Sequence, residues 1–348
     1  MLPQIKILNR FRYWLAHRIL GSLPLELQPA ELSLLTPAQL EEAQALFSMP
    51  KFFIFGYPRS GTTLLMRLIS LHPQVHCNRE AHFFTHAGDP TGFIPDSKSQ
   101  QWLERKSNRW TYGQHLETPL VRLIADFIME REARQLGKTI VGDKTPNANA
   151  GQAVQYMHSI YPDARLIFIV RDGRDAALSH RFQHFIDQPN FLNREDQRIR
   201  QDLIRNSSHF FEKKKSVFTQ SVIDNEACSW AKNVSETHDL GQKLFRDRYI
   251  WLRYEDLLGS PGEHISQLWT FLGVDPEFPD MESQVKTKLA YNPGAEAQLE
   301  KEGELVRNLQ RGTKGNWREI FTLRDRQVFK ALAGKALVDW NYEKDLNW

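Results

Sequence analysis

The chain has 348 residues, of which 41% are hydrophobic and 25% are charged. This ordinary globular composition excludes a disordered or collagen-like chain. Lys and Arg total 45 against 42 Asp and Glu, and this near balance excludes a strongly basic nucleic-acid-binding protein. The two cysteines, Cys77 and Cys228, are too few for a disulfide framework or a four-ligand zinc site, although a single bridge stays open. We therefore expect a reducing, cytoplasmic location.

Residues 1–48 are predicted to form an accessory helical segment. Within 1–24, apolar residues recur at helical spacing, and basic residues interrupt them, unlike a cleaved signal peptide. The pattern leaves two interpretations open: a helix on a membrane surface, giving peripheral membrane contact, or a helix docked on the core or on a partner. The apolar runs are far shorter than the ~18 residues of a membrane span. Thr36 and Pro37 then predict the start of a second helix.

Beyond residue 48, apolar strands alternate with helical segments. Four buried strands are predicted at 51–56, 138–142, 165–170 and 249–253. Helices are predicted after the first strand and at 120–137, 149–161, 173–185, 225–245, 262–273 and 323–338. This alternation predicts an α/β fold, a three-layer αβα sandwich with a central parallel sheet. We expect one domain over 49–348, with a polar helix-loop insertion at about 187–225 and an irregular stretch at 274–316.

A phosphate-binding loop is predicted where the first strand meets its helix. The sequence GYPRSGTT at 56–63 has two glycines separated by four residues. Such a loop wraps backbone N–H groups around an anion, and hydroxyls at Ser60, Thr62 and Thr63 add donors. A kinase-type Walker loop has Lys directly after the second glycine, where this chain has Thr62; the cation here is Arg59. The alternative is an ordinary strand–helix turn with a capping threonine.

This loop resembles the 5′-phosphosulfate loop of sulfotransferases that use 3′-phosphoadenosine-5′-phosphosulfate (PAPS). Arg59 and Leu64 stand where cytosolic members usually carry Lys and Trp, which is closer to the tyrosylprotein and bacterial branches. The resemblance implies that Arg59 touches both the phosphate and the sulfuryl group. It also implies that the cofactor is bound by Arg59, Ser60, Gly61, Thr62, Thr63 and Leu64.

Two further segments strengthen the resemblance. RDGRDAALS at 171–179 is similar to the family's 3′-phosphate element, which implies that Arg171 and Ser179 bind that phosphate. The alternatives are a Walker B element with Asp172 on magnesium, or a strand-end salt bridge before a solvated helix start. The segment at 310–318 resembles a family motif near the C-terminus. This resemblance implies that Arg311 and the backbone of Gly312 contact the 3′-phosphate. Tyr254 is a further cofactor contact on the same resemblance.

The resemblance also implies a general base. Glu80, in NREAHFF, lies in a segment similar to the one that holds the catalytic Glu of tyrosylprotein and heparan-type sulfotransferases. Beside two phenylalanines, its pKa is expected to be raised. The alternative is a surface Glu paired with Arg79. His82 is the rival base, because on an extended segment it would point the same way as Glu80.

Lys144, in GDKTP, resembles the family's Lys-Thr segment near the transferred sulfuryl group. Its expected role is to stabilise the sulfuryl oxygens, and the alternative is a strand-end ion pair with Asp143. Pro146 stands where cytosolic enzymes place their catalytic His, which indirectly favours Glu80 as the base.

Together these motifs predict a PAPS-dependent sulfotransferase. The resemblance implies transfer to an acceptor hydroxyl of a glycan or other small molecule, with release of PAP, the 3′,5′-bisphosphate product, and no required metal. Two alternatives stay open: a P-loop kinase-like phosphotransferase and a nucleotide-binding pseudoenzyme.

Overall fold

The first predicted strand lies at the centre of the sheet. Its sequence, KFFIF, is buried along its whole length: Phe53 and Phe55 pack into one core, and Phe52 and Ile54 pack into the core on the opposite face. A continuous apolar run of this kind is typical of a parallel strand that is covered on both sides.

The computed structural model describes residues 33–84, 101–146, 150–290 and 314–348. Five parallel strands pair in the order β2-β3-β1-β4-β5. They are β1 Lys51–Phe55, β2 Val75–Arg79, β3 Ile140–Lys144, β4 Arg165–Val170 and β5 Tyr249–Arg253. The predicted α/β fold with a central parallel sheet is confirmed. Strand β2 was not predicted; it lies at an edge and buries only alternate residues.

Helices cover both faces of the sheet. In the described residues these helices are α1 Pro37–Leu46, α2 Thr62–Ile69, α3 Glu117–Gln135, α4 Ala150–Ile160, α5 Gly173–Asp187, α6 Arg194–Arg205, α7 Ser207–Phe211, α8 Gln220–Phe245, α9 Tyr254–Gly259, α10 Pro261–Leu272, α11 Met281–Ala290, α12 Trp317–Ile320 and α13 Leu323–Asp339. Helices α3, α4, α5, α8 and α13 pack into one core. Helices α2, α9, α10 and α11 pack into the other. The molecule therefore has the predicted three layers.

Two segments differ from the prediction in the extent of their helices. The insertion at about 187–225 contains α6 and α7, and α8 begins at Gln220 rather than at 225. Its apolar residues Phe210, Val217 and Phe218 are buried in the core, so it packs against the domain. The stretch at 274–316, predicted to be irregular, contains α11.

At the N-terminus, α1 begins at Pro37, and the hydroxyl of Thr36 caps it as predicted. The helix predicted within 1–24 lies outside the described residues. The division into segments 1–48 and 49–348 stays a prediction. Cys77 is buried, Cys228 is exposed and both are free thiols, so they form no bridge. Among the described helices, none is both long and apolar enough to cross a membrane.

Candidate active site

The predicted site residues gather at the carboxyl edge of the sheet. A loop at 56–61 follows β1, Glu80 follows β2, Lys144 ends β3, Arg171 follows β4, and Tyr254 follows β5. Ligands of open α/β sheets bind at this edge. The topology therefore brings residues from five separate strands to one place.

The loop after β1 is a tight turn that only glycine can complete. Arg59 and Gly61 both adopt left-handed backbone, with φ of 70° and 91°. A Cβ on Gly61 would lie 2.3 Å from Cδ2 of Tyr254, so the ring occupies the space of a side chain. Helix α2 begins directly after this turn, at Thr62. Its N-terminal N–H groups and its dipole thus favour an anion at the loop.

Ser60 supplies an independent indication that the loop fits a phosphate. Its side chain is fully buried, and its Oγ makes no hydrogen bond within the described part of the chain. A buried hydroxyl without a partner costs about 1–3 kcal/mol. A phosphate oxygen in the loop would accept this hydrogen bond, so the residues present fit the 5′-phosphosulfate group that the resemblance implies.

The two predicted phosphate elements contact each other directly. Nη1 of Arg171 donates to the Arg59 carbonyl at 3.0 Å, and Nε of Arg59 donates to Oγ of Ser179 at 3.1 Å. The Arg171 guanidinium also lies 4.8 Å from the centroid of the Tyr254 ring. On α8, the indole of Trp230 donates to the Arg171 carbonyl at 3.0 Å. The structure therefore brings four predicted cofactor residues into one cluster.

Asp172 has a structural role. Its carboxylate caps α5 by accepting from the N–H of Arg174 at 3.0 Å, and it accepts from Nε and Nη2 of the same residue at 2.9 and 2.8 Å. These contacts match the salt-bridge alternative and give no support to a Walker B role on magnesium. The start of α5 is buried, however, so the solvated helix start that belonged to this alternative is wrong.

The segment after 313 is attached to the same helix. Asp175 accepts from the backbone N–H of Gly315 at 2.6 Å and of Trp317 at 2.9 Å. The Arg174 guanidinium lies 3.8 Å from the ring centroid of Trp317. Arg311 and Gly312, the predicted 3′-phosphate contacts, lie outside the described residues.

Lys144 joins the predicted base to the phosphate loop. Its Nζ donates to Oε1 of Glu80 at 2.5 Å and to Oγ1 of Thr63 at 3.0 Å. The Lys144 side chain is fully buried, whereas that of Glu80 is 38% exposed. Glu80 therefore does not form an ion pair with Arg79, and Lys144 does not form one with Asp143, so both alternatives are wrong.

The expected rise in the pKa of Glu80 is also wrong. Partial burial raises this pKa, but the hydrogen bond and the charge of Lys144, together with the charges of Arg79 and His82, outweigh burial and lower it. Glu80 is thus ionised at neutral pH, the state in which a carboxylate accepts a proton.

The segment around Glu80 is not extended, so the geometric argument for His82 fails. Both residues have φ of 55°, in the left-handed region. Three backbone N–H groups fix this shape on the end of β3: Glu80 N donates to Lys144 O at 2.7 Å, Ala81 N to Asp143 Oδ1 at 3.1 Å, and His82 N to Thr145 Oγ1 at 3.2 Å. Such strained backbone persists where its surroundings hold it. Burial also raises the pKa of Asp143, one of these hydrogen-bond partners, to about 6.

Sequence reasoning missed a buried polar cluster behind the loop. The hydroxyl of Tyr57 donates to Oε2 of Glu226 at 3.0 Å, and Nδ1 of His180 lies 2.8 Å from the other carboxylate oxygen. Burial and the Glu226 charge raise the pKa of Tyr57. Glu226 thus links the loop to the helix that carries Ser179. No sequence pattern indicates this contact, because Tyr57 and Glu226 are 169 positions apart.

Comparison with known proteins agrees with this site. A family model described as "Sulfotransferase family" matches residues 50–203, which include the loop, Glu80, Lys144, Arg171 and Ser179. Over these residues the chain is similar to the sulfotransferase family. Among curated relatives, the protein-tyrosine sulfotransferase of Drosophila melanogaster is 24% identical over 65% of this chain and 38% of its own length. Nodulation protein NoeE of Sinorhizobium fredii is 26% identical over 84% of this chain and 66% of its own length.

The chain spans 31–38% of the length of the first protein-tyrosine sulfotransferases that it matches. Among solved structures, mouse sulfotransferase SULT7A1 complexed with PAP is 16% identical, with a TM-score of 0.47. That alignment covers 86% of this chain and 90% of the mouse chain.

Proposed function

We propose that this protein transfers the sulfuryl group of PAPS to an acceptor hydroxyl, on a carbohydrate or another small molecule, with Glu80 as the general base. One observation carries the proposal: the Lys144 ammonium bridges Glu80 and Thr63 of the phosphate loop. A proton acceptor therefore lies one side chain away from the place where an anion binds.

The donor is held by the two phosphate elements. The loop residues Ser60, Gly61, Thr62, Thr63 and Leu64 bind the 5′-phosphosulfate through N–H and hydroxyl groups, at the start of α2. Arg171 and Ser179, with Arg311 and Gly312, bind the 3′-phosphate, and the Tyr254 ring packs beside Arg171. When bound, PAPS supplies a sulfuryl group that is already attached to a good leaving group, so the proposed reaction uses no metal.

The protein's own side chains supply positive charge and a proton acceptor. Arg59 and Lys144 stabilise the negative charge that develops on the sulfuryl oxygens and on the departing phosphate oxygen. The Glu80 carboxylate orients the acceptor and takes its hydroxyl proton as the new oxygen–sulfur bond forms. Lys144 contacts both Glu80 and the loop, so it couples these two tasks.

The test is transfer from ³⁵S-labelled PAPS to a panel of glycans, phenols and tyrosyl peptides, with and without EDTA. We expect labelled product with at least one acceptor, no effect of EDTA, and loss of at least about 10²-fold in rate for Glu80→Gln. Magnesium-dependent phosphate transfer from ATP would instead support the kinase alternative. Tight PAP binding with no transfer to any acceptor would support the pseudoenzyme.

A further inference from the structure

Asp143 is a buried carboxylate beside the segment that carries Glu80. It is 2% exposed, and its Oδ1 accepts from the backbone N–H of Ala81 at 3.1 Å. In the part of the chain that the structure describes it forms no ion pair, because the adjacent Lys144 ammonium pairs with Glu80 instead. A buried charge without an ion pair is costly, so the groups that donate to this carboxylate indicate its role.

Thr145 connects the second oxygen of Asp143 to the next residue of the same segment. Its buried hydroxyl donates to Oδ2 of Asp143 at 2.7 Å, and its Oγ1 accepts from the backbone N–H of His82 at 3.2 Å. A hydroxyl has one proton, so donation to Asp143 leaves the oxygen lone pairs for His82. Hydrogen bonds in such a chain strengthen one another. Asp143 and Thr145 thus bind the two N–H groups that follow Glu80.

These hydrogen bonds hold a left-handed turn that a continuing strand would not make. Glu80 and His82 both have φ of 55°. In the register of β2 and β3, Arg79 is the partner of Lys144, so these two side chains leave the sheet on the same face. On a continuing strand, Glu80 would point to the opposite face. The turn instead brings Oε1 of Glu80 to 2.5 Å from Nζ of Lys144, so this contact depends on the turn.

We propose that Asp143 and Thr145 are positioning residues for the general base, which hold the left-handed turn that brings the Glu80 carboxylate to Lys144. This role rests on the proposed function, in which Glu80 takes the acceptor proton. Residues other than glycine adopt left-handed backbone at a cost, so the turn persists only while its surroundings hold it. Loss of the hydroxyl of Thr145 should therefore slow the chemical step and leave the phosphate side of the site unchanged.

Thr145→Val tests this role, because it keeps the shape of the side chain and removes the hydroxyl. We expect turnover at saturating PAPS and acceptor to fall at least about tenfold, since a small misplacement of a catalytic group is costly. The calorimetric affinity for PAP should stay that of the parent. Thr145→Ser returns the hydroxyl and should restore most of the turnover. Thr270→Val, at an exposed position on α10, is the control for the substitution itself.

A double variant separates positioning of the base from a general structural effect. If Thr145 acts through Glu80, adding Thr145→Val to Glu80→Gln should lower turnover further by less than about twofold. Asp143→Asn replaces Thr145→Val in both experiments if that variant melts well below the parent. It keeps the size of the side chain and an oxygen for the N–H of Ala81, but its NH₂ group cannot accept the hydroxyl proton of Thr145.

Amide hydrogen exchange measures the turn without any enzymatic activity. In the parent chain and in Thr145→Ser, the amides of Ala81 and His82 should be protected from exchange. In Thr145→Val, the amide of His82 loses its acceptor and should exchange at least about tenfold faster. In a parent chain that transfers no sulfuryl group, these rates still decide whether Asp143 and Thr145 hold the turn.

Three results would overturn the positioning role: parent-like turnover in Thr145→Val, a loss that multiplies in the double variant, or an unprotected His82 amide in the parent chain. Failure of the proposed function gives a different result. Parent-like turnover in Glu80→Gln refutes the proposed base itself. Turnover that is lost in Glu80→Gln but kept in Thr145→Val refutes the positioning role alone.

Discussion

The two sides of the proposed active site are built in different ways. The phosphate side consists of the loop at 56–63 and the segment at 171–179, each a contiguous strand–turn–helix unit. The base side consists of Glu80 and Lys144, which lie on neighbouring strand ends and are 64 positions apart. The proposed anion binding thus depends on local backbone shape, whereas the protonation state of the proposed base depends on a partner that only the tertiary fold supplies. Variants on the two sides should therefore separate turnover from affinity.

The largest effect is expected on the base side. Glu80→Gln keeps the size of the side chain and removes the proton acceptor, so turnover at saturating PAPS and acceptor should fall by about 10²–10⁴-fold. The calorimetric affinity for PAP should barely change, because a carboxylate offers no attraction to an anionic ligand. His82→Ala is the control and should keep most of the activity. If His82→Ala abolishes turnover while Glu80→Gln retains it, the base is wrongly assigned.

On the phosphate side, Arg59→Ala should weaken affinity and turnover together. Arg59 is expected to touch the ground state and the transition state, and a charge-assisted contact is worth about 1.5–3 kcal/mol, or roughly 10–150-fold in the dissociation constant of PAP. Arg194→Ala, at an exposed position on α6, is the matched control. Loss of turnover with unchanged PAP affinity would contradict a ground-state contact.

A smaller effect is expected in the pH dependence. The pKa of Glu80 is lowered, so kcat/KM should fall only when the pH drops below the ordinary glutamate range. Any stability that this ionised group contributes is present above its unfolded pKa and is lost as the pH falls through the lowered value. Lys144→Met removes the group that lowers the pKa of Glu80 most. The acidic limb of the kcat/KM profile should therefore move to higher pH.

Lys144→Arg is the matched control for this shift. It retains the positive charge and should keep the acidic limb at low pH even if its turnover is reduced. An acidic limb that stays in place in Lys144→Met would show that Glu80 is not the group that titrates.

The smallest effect is expected behind the loop. Glu226→Gln keeps a hydrogen-bonding side chain beside Tyr57 and His180 but removes the charge, so PAP affinity should fall by about 1 kcal/mol, or less than tenfold. Turnover at saturating substrates should be nearly unchanged. Glu212→Gln, at a site 51% exposed, is the control. A large loss of turnover with intact affinity would place Glu226 in the reaction itself.

The contrast between the two sides also explains what the sequence could predict. The loop and the segment at 171–179 are short motifs whose residue types fix local backbone, and the structure brings Arg59, Arg171 and Ser179 together as expected. Strand β2 was not predicted, because its sequence, VHCNR, alternates apolar and polar residues over its first four positions and the strand lies at an edge of the sheet. An apolar run, the main sign of a buried strand, is therefore absent from it.

The electrostatics of the base could not be predicted from neighbours in sequence. Phe83 and Phe84 suggested a raised pKa for Glu80, but the decisive group is Lys144, on the adjacent strand. The Tyr57–Glu226 contact was not predicted for the same reason, because it joins the loop after β1 to α8. Contacts between distant residues need the strand order, which a sequence pattern alone does not provide.

Arg171 and Ser179 are proposed to bind a 3′-phosphate at the edge of the sheet. Calorimetric titration with PAP and with AMP tests it most directly, because the two ligands differ only in that phosphate. We predict that the intact chain binds PAP at least about tenfold more tightly than AMP, and that Arg171→Ala removes most of this difference while leaving AMP affinity unchanged. Equal affinities of the intact chain for PAP and AMP would contradict the account.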